Sequence, residues 1–405
     1  MTLPADTARA PAGPRRSPVA AYLGVFIFLG MALNVAGPAL PHLRERAKVG
    51  IGASGFVLAG QSLGYIFGSL AAGRRYDRGH GHRLLLGAGM VAVAAVTTLT
   101  TVSELWMVVA VFAVIGFSSA AVDVGGNTLM VWSQPADRVG STLNALHLCF
   151  GIGALFTPLI VAASLGRTDH LTLVAAVMAI SLATVALLLR TTEQPVRRAA
   201  IRRDVVDTPV WHPAFVLLCL FYFLYVGAEL TFAGWVSTYA AAIHLGGTSG
   251  PRILASVFWA GYVLGRLFAI WLTRRLALSV MMIGSCSSAV VATFVLAIGD
   301  GSNVVVWVAT GVIGFTLGPQ YATMLAFGDD RLRLSASSTS LIIATSGVGG
   351  LVLPLGTGWI LDRGGASLLP WVVGVACTAT TTVVVATVMI GRQRPPLTSR
   401  NAPVT

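Results

Sequence analysis

The sequence is poor in charged residues and contains a single lysine, Lys48. Charged side chains make up 10% of the 405 residues, whereas hydrophobic ones make up 55%. Soluble domains carry about 25% charged residues, so this composition excludes a water-exposed globule and requires lipid as the solvent for much of the surface. Because Lys48 is followed by Val49, no Gly-Lys-Ser/Thr phosphate loop exists, which excludes an ATP-driven pump within this chain.

Only four cysteines are present, and all of them lie inside apolar segments, so they indicate small core residues and no disulfide framework. No His-Glu-x-x-His, Cys-x-x-Cys or Gly-x-Ser-x-Gly pattern occurs. We therefore expect no enzyme, no cofactor and no metal site. The net charge of +12 does not indicate a nucleic-acid partner, because the arginines lie between apolar runs and not on one basic face.

Apolar runs of about 20 residues, the length that crosses about 30 Å of hydrocarbon, recur along the whole chain. The predicted spans are 20–40, 51–73, 84–102, 105–131, 139–163, 171–190, 214–239, 251–272, 276–299, 304–327, 335–361 and 367–390. The third and fourth spans are separated only by Ser103 and Glu104, which predicts a tight hairpin. The sequence thus predicts an all-α polytopic membrane protein with twelve transmembrane helices.

The longest polar segment divides the spans into two groups of six. The predicted organisation is a tail (1–19), an N-terminal half (20–190), a linker (191–213), a C-terminal half (214–390) and a second tail (391–405). If both tails and the linker are cytoplasmic, 20 of the 27 Lys and Arg residues lie inside, as the positive-inside rule requires. We expect a multi-pass protein of the cell (inner) membrane, with both termini cytoplasmic.

The two halves repeat each other at an offset of 196 to 198 residues. The matching positions are Gly30, Leu33, Ala36 and Gly37 with Gly227, Leu230, Ala233 and Gly234; Gly64-Tyr65-x-x-Gly68 with Gly261-Tyr262-x-x-Gly265; the identical tetrapeptides at 114–117 and 312–315; and Gly151, Gly153, Leu155 and Pro158 with Gly347, Gly349, Leu351 and Pro354. Duplicated six-helix halves are typical of the major facilitator superfamily, in which substrate binds near midplane between the halves. The glycine-rich strings 68–73 and 347–350 predict close helix crossings.

The segment GSLAAGRRYDRGHGHRLLL (68–86) resembles the loop signature of this superfamily, in which Gly, Asp-Arg and Gly-Arg-Arg follow one another in a tight cytoplasmic turn. The resemblance implies a gating loop formed by Gly73, Asp77, Arg78, Gly81 and Arg83, with one extra residue before the last two. In the family the Asp of this loop acts as a charge latch across the half interface. The second copy has Arg274 in the place of Asp77.

Three strings narrow the resemblance: AAVDVGGNTLM (120–130), LNALHLCFGIGALFTPLI (143–160) and FYFLYVGAELTFAGWVSTYA (221–240). They resemble helices 4, 5 and 7 of the group that contains the fucose permease and the sodium-dependent glucose transporters. The resemblance implies sugar transport coupled to H⁺ or Na⁺. The chain departs from fucose permeases in helix 1. In those proteins an Asp follows an Asn by a few residues, whereas here Asn34 is followed by Gly37 at that place.

Four ionisable residues lie clearly within spans, where such groups are functional candidates by default: Asp123, His147, Glu229 and Arg266. Asp123 and His147 have comparable depths, so they are candidates for a contact that forms either a coupling site or a structural pair. Glu229 is either a second cation or substrate ligand or the partner of an outer-loop charge. Arg266 fits a structural role, by snorkelling or by binding carbonyls.

Further polar and aromatic residues have the chemistry to bind sugar hydroxyls or stack on sugar rings. Asn127 lies four residues after Asp123, and Asn144 lies three before His147, on the same helical faces. The weaker candidates are Asn34, Gln61, Tyr65, Trp235, Trp259, Gln320 and Tyr321. The aromatic members among them are equally consistent with anchors at the membrane interface.

Together these features predict a secondary transporter, a monomer, that imports a sugar or polyol with a cation by alternating access. An exporter of drugs or of a secreted metabolite is the alternative, because this fold serves many substrates. A receptor that binds without transporting is a third class. The expected partners are a small-molecule substrate and the lipid bilayer.

Overall fold

A computed structural model describes residues 17–76, 78, 81–195, 212–247, 249–299, 302–332 and 336–392. Most of both predicted tails and of the linker, together with Asp77 of the gating loop, lie outside the described residues.

The described residues form α-helices, one 3₁₀ turn and no strands. The N-terminal half contains α1 (Val19–Leu33), α2 (Ala36–Ala47), α3 (Ile51–Tyr76), α4 (Gly81–Thr98), α5 (Leu105–Ser133), α6 (Ala136–Thr168) and α7 (Thr172–Arg190). The C-terminal half contains α8 (Pro213–Ala242), α9 (Gly250–Leu272), α10 (Leu278–Ile298), α11 (Asn303–Leu317), α12 (Gln320–Leu332), α13 (Ala336–Gly364), the 3₁₀ turn (Ala366–Leu368) and α14 (Leu369–Arg392).

Within the described ranges, 12 segments are long and apolar enough to cross a membrane. The first combines α1 and α2, and the tenth combines α11 and α12. The prediction of an all-helical protein with twelve spans is confirmed.

The connection between α4 and α5 is longer than the sequence predicts. Helix α4 ends at Thr98, and residues 99–104 connect it to α5. Two threonine hydroxyls in this stretch donate to backbone carbonyls three residues earlier, Thr100 to Thr97 O at 2.7 Å and Thr101 to Thr98 O at 3.0 Å. Such local bonds compete with helix continuation. The prediction that only Ser103 and Glu104 separate the third and fourth spans is therefore wrong.

Two spans are broken at residues that disfavour a continuous helix. The first break lies at Asn34 and Val35, and the Asn34 side-chain amide donates to Gly30 O at 2.8 Å. The Gln61 amide of α3 donates to Leu33 O, also at 2.8 Å, and so satisfies a carbonyl at the break. The second break lies at Gly318 and Pro319, where proline has no N–H to donate to the preceding turn.

The repeated motifs are contact partners within each half. In the N-terminal half, a Cβ atom at Gly64 of α3 would lie 1.9 Å from Ala113 O of α5, and one at Gly116 would lie 2.0 Å from Gln61 O. In the C-terminal half, a Cβ atom at Gly261 of α9 would lie 2.1 Å from Gly311 O, and one at Gly314 would lie 2.0 Å from Phe258 O. The duplication therefore preserves backbone-to-backbone contacts that only glycine permits.

The predicted glycine crossings are formed only in part. Gly68 and Gly349 lie against the backbone of Phe117 and Phe223, and Gly350 lies against the Leu230 side chain. A Cβ atom at Gly73 would have nothing within 4 Å. The string 68–73 therefore meets α5 at Gly68 but not at Gly73, which lies on another face of α3, while Tyr76 at the end of α3 still donates to Ala121 O of α5.

The halves meet along α2 with α8, α3 with α13, and α6 with α9. At the end of the bundle that carries the α2–α3 connection, the approach is close. A Cβ atom at Gly37 would lie 2.4 Å from Ala233 O, and one at Gly52 would lie 3.1 Å from an Asp362 carboxylate oxygen. This end of the half interface is closed by direct helix contact.

Candidate functional site

The Asp123 carboxylate is held by two donors from the N-terminal half. The Tyr65 hydroxyl of α3 donates to Asp123 Oδ2. Asn127, one turn along α5, donates through Nδ2 to Asp123 Oδ1 at 2.8 Å and to its backbone oxygen at 3.1 Å. All three side chains are half-buried. The carboxylate thus has fixed partners and remains reachable, which suits a group that binds and releases a cation.

Arg266 of α9 is anchored in the C-terminal half. Its Nε donates to Gly318 O at 3.0 Å, and Nη2 donates to the Tyr262 hydroxyl at 2.7 Å. The guanidinium carbon also lies 4.7 Å from the centroid of the Tyr262 ring. Arg266 therefore binds a carbonyl, one of the two structural roles that we considered, and these contacts hold its side chain near the helix break instead of at the membrane surface.

The break between α11 and α12 explains why a carbonyl is available at this position. Helix α11 ends at Leu317, and the last carbonyls of a helix have no donor within that helix. Arg266 satisfies Gly318 O, while the Tyr225 hydroxyl of α8 donates to Leu317 O at 2.9 Å. The break is consequently the point on which a tyrosine and an arginine from two other helices converge.

Glu229 of α8 lies beside this group. It interacts with the hydroxyls of Tyr225 and Tyr262 and with the charge of Arg266. Tyr321, directly after the break, lies within electrostatic range of Asp123 as well as of Glu229 and Arg266. The charged residues of the two halves therefore share one region, with Tyr321 between them.

The structure does not bring Asp123 and His147 into contact. The His147 ring of α6 packs edge-on against Phe26 of α1, with centroids 5.7 Å apart. Phe26 also fills the space beside Gly126 of α5, where a Cβ atom would lie 2.5 Å from the ring. Because Phe26 stands between α5 and α6, the predicted Asp123–His147 pair is wrong; the charge that His147 feels belongs to Arg266.

Three predicted amide ligands are bonded to backbone near helix breaks. Asn34 and Gln61 bind the carbonyls at the first break, and Gln320 Nε2 donates to Thr316 O at 3.0 Å beside the second. In a regular helix each of these carbonyls would accept from the backbone N–H four residues later, and at the breaks the side-chain amides replace that donor. Substrate binding by these amides stays a prediction.

The remaining lining candidates lie in different environments. Asn144 is exposed on α6. Trp259 is buried and packs with Phe150 of α6, with centroids 6.2 Å apart, which joins α6 to α9 across the half interface. Trp235 is fully buried, and its Nε1 donates to Pro354 O at 2.9 Å. That ring has a packing role at the closed end.

The predicted gating loop is described only in part. Arg78 and Arg83 are exposed, and Gly81 begins α4 against the Leu129 side chain. Asp77 lies outside the described residues. The charge latch stays a prediction.

Tyr225 and Tyr262 were missed as site residues by sequence reasoning. Tyr262 carried two signals: it lies four residues before Arg266 on the same helical face, and it repeats Tyr65 at the offset of 197. In each half the repeated tyrosine bonds to the ionisable group of its half, Asp123 or Arg266. Within the described ranges, no three His, Cys, Asp or Glu side chains converge as metal ligands.

The family model of the Major Facilitator Superfamily matches residues 22–354. The sodium-dependent glucose transporter 1 of Xenopus laevis is 25% identical over 363 residues, which cover 82% of this chain and 73% of the relative. The sodium-dependent glucose transporter 1A of Mus musculus is 24% identical over 370 residues, which cover 81% of this chain and 86% of the relative. These relatives lie in the group that the strings 120–130, 143–160 and 221–240 resemble.

Solved transporter structures share the fold. A mutant of the nucleoside transporter NupG superimposes with a TM-score of 0.74 at 14% identity, covering 92% of this chain and 99% of that one. A bacterial homolog of the human lysosomal transporter Spinster, inward-facing and unoccupied, superimposes with a TM-score of 0.68 at 14% identity, covering 97% and 100%. The predicted fold class, two six-helix bundles, is confirmed.

Proposed function

Because the chain belongs to the major facilitator superfamily, whose members are membrane transporters and not enzymes, we propose that it performs cation-coupled uptake of a sugar or polyol by alternating access. The observation that carries this proposal is the polar region between the halves. Asp123, Tyr65 and Asn127 form its N-terminal wall, and Tyr262 and Arg266 form its C-terminal wall.

The polar groups of this region support a hydroxylated substrate. A carboxylate, an amide and phenol hydroxyls alternate donors and acceptors, which is the pattern that sugar hydroxyls satisfy. The similarity to sodium-dependent glucose transporters supports the same substrate class. Asn144 and His147 are exposed on α6, and His147 lies within electrostatic range of Arg266, so they extend the polar surface.

Asp123 is the proposed coupling site. A carboxylate within a span is expensive to keep charged without a partner, and its bonds with Tyr65 and Asn127 leave room for exchange with H⁺ or Na⁺. Cation binding and substrate binding would then stabilise the same conformation, which is the requirement for coupled transport. No cofactor beyond the ion gradient takes part.

The proposed location is the cell (inner) membrane, with both termini cytoplasmic and a single chain as the working unit. The distribution of arginine supports this orientation. The polar region is formed by residues of one chain, which supports a single chain as the working unit.

Uptake into vesicles with an imposed proton or sodium gradient tests the proposal. Wild-type protein should accumulate a labelled sugar or polyol above its external concentration. Asp123→Asn keeps the shape and most of the hydrogen bonding but removes the exchangeable charge. The accumulation ratio of this variant should fall to about one, while exchange of labelled for unlabelled substrate partly survives, because the carboxylate couples the ion.

The matched control is Asp169→Asn, the same change at an exposed position between α6 and α7, which should accumulate substrate like the wild type. Wild-type accumulation in Asp123→Asn would contradict the coupling role and direct attention to Glu229. A thermal-shift comparison of sugars with cationic drugs at several pH and sodium values separates a sugar transporter from a drug transporter, since a ligand stabilises the protein it binds.

A further inference from the structure

Arg266 has hydrogen-bonding capacity that the protein does not use. A guanidinium has five N–H donors, and the described contacts account for Nε and Nη2. No described residue accepts from Nη1, and Arg266 forms no ion pair with a carboxylate of the described residues. A charge within a span normally requires a partner. The edge of the guanidinium that carries Nη1, here called its free edge, therefore needs an explanation.

Glu229 does not fill the free edge. It interacts with the Tyr262 hydroxyl, which also accepts from Arg266 Nη2, so Tyr262 links the two charges without an ion pair. An incoming anion could therefore bind Arg266 without first breaking a salt bridge. The guanidinium is also rigidly placed, by Gly318 O on one side and by the Tyr262 ring on its face.

The arginine at this position occurs only in the C-terminal half. At the offset of 197 that aligns Tyr65 with Tyr262, Arg266 corresponds to Ser69, whose hydroxyl donates to Ile66 O at 2.8 Å. The N-terminal wall instead carries Asp123. The two walls therefore differ: the N-terminal wall offers a carboxylate with an amide and a phenol, and the C-terminal wall offers the fixed cation Arg266, which Tyr262 links to the Glu229 carboxylate.

We propose that Arg266 binds a carboxylate group of the substrate, which makes the transported molecule a sugar acid. This inference rests on the proposed function, because it assigns the two ends of one hydroxylated substrate to the two walls. The planar Arg266 fork matches a carboxylate, whereas a lysine or a hydroxyl donor would not give the same two-point contact. The hydroxyls of the substrate face Asp123 and Asn127.

The test compares matched pairs that differ in a carboxylate: glucose with glucuronate, and galactose with galacturonate. Dissociation constants are measured on the purified full-length protein. Wild type should bind the acid of at least one pair about tenfold or more tightly than its neutral sugar, the size of effect expected for a charge-assisted contact. In Arg266→Gln this ratio should fall towards one, and Arg266→Lys should give an intermediate ratio.

Arg275→Gln is the matched control, because it removes an arginine that lies in the connection after α9 and packs on Trp271, and it should keep the wild-type ratio. A wild-type preference for the neutral sugar in both pairs would overturn the inference and leave the sugar transporter intact. An unchanged acid preference in Arg266→Gln would also overturn it. If no member of either pair binds, the inference is overturned, and the uptake assay with other sugars and polyols decides the proposed function separately. Where Arg266→Gln does not fold, the wild-type ratio and the Arg266→Lys ratio decide.

Discussion

Two tyrosines of α3 donate to α5 with different consequences. The Tyr65 hydroxyl bonds to the Asp123 carboxylate, and the Tyr76 hydroxyl bonds to Ala121 O at 2.9 Å. Tyr65→Phe removes a donor that competes with the coupling cation for Asp123. We expect half-maximal uptake at a cation concentration about tenfold lower, because a hydrogen bond to a charged group contributes roughly 1.5–3 kcal/mol. Initial uptake rates against pH and sodium concentration measure this change.

Tyr76→Phe is the comparison variant, with the same chemical change on the same helix. Tyr76 is fully buried and bonds only to backbone, so this change should lower stability by about 1 kcal/mol and leave the cation dependence unchanged. A Tyr65→Phe variant with the wild-type cation dependence would show that the phenol plays no part in ion binding.

At the scale of the helix pair, the crossing of α3 and α5 depends on the absence of side chains at Gly64 and Gly116. A methyl group at Gly64 would overlap Ala113 O. Gly64→Ala should therefore push the helices apart and destabilise the protein by roughly 1–3 kcal/mol, as overpacking does. The apparent melting temperature in detergent should fall.

Gly87→Ala in α4 is the matched control, because a Cβ atom there would have nothing within 4 Å. Alanine favours a helix interior over glycine by roughly 0.5–1 kcal/mol, so this variant should melt at the same or a slightly higher temperature. Equal melting temperatures for Gly64→Ala and wild type would mean that the helices tolerate a wider separation than the structure shows.

The whole molecule is two similar bundles whose contact is closed at the α2–α3 end. Gly37 of α2 lies against Ala233 and Gly234 of α8, and Gly55 of α3 lies against Trp235 and Leu355. The even number of spans among the described residues is consistent with our proposal that both termini lie on one side, for which the arginine distribution predicts the cytoplasm.

A reporter that is active only in the periplasm tests this orientation. Fused after Thr405 it should give no signal, since the C-terminus is expected inside. Inserted at Gly247, an exposed residue between α8 and α9, the same reporter should be active. A strong signal from the Thr405 fusion would contradict the twelve-span orientation.

The sequence by itself determined the span number, the duplication and the family group. These features depend on local composition and on repeated residues: about 20 apolar residues suffice to predict a span, and Gly64, Gly116 and their copies recur because backbones meet there. The four ionisable residues of the spans were also visible, because a charged side chain is rare and costly in hydrocarbon.

Only the tertiary structure decided which of these residues meet. Periodicity placed Asn127 beside Asp123, since both lie on one helix, but it could not show that Phe26 of a third helix separates Asp123 from His147. The anchoring of Arg266 by Gly318 O depends on a helix break in another span. Contacts between helices are set by crossing angles and by side chains far apart in the chain, and local sequence does not determine these.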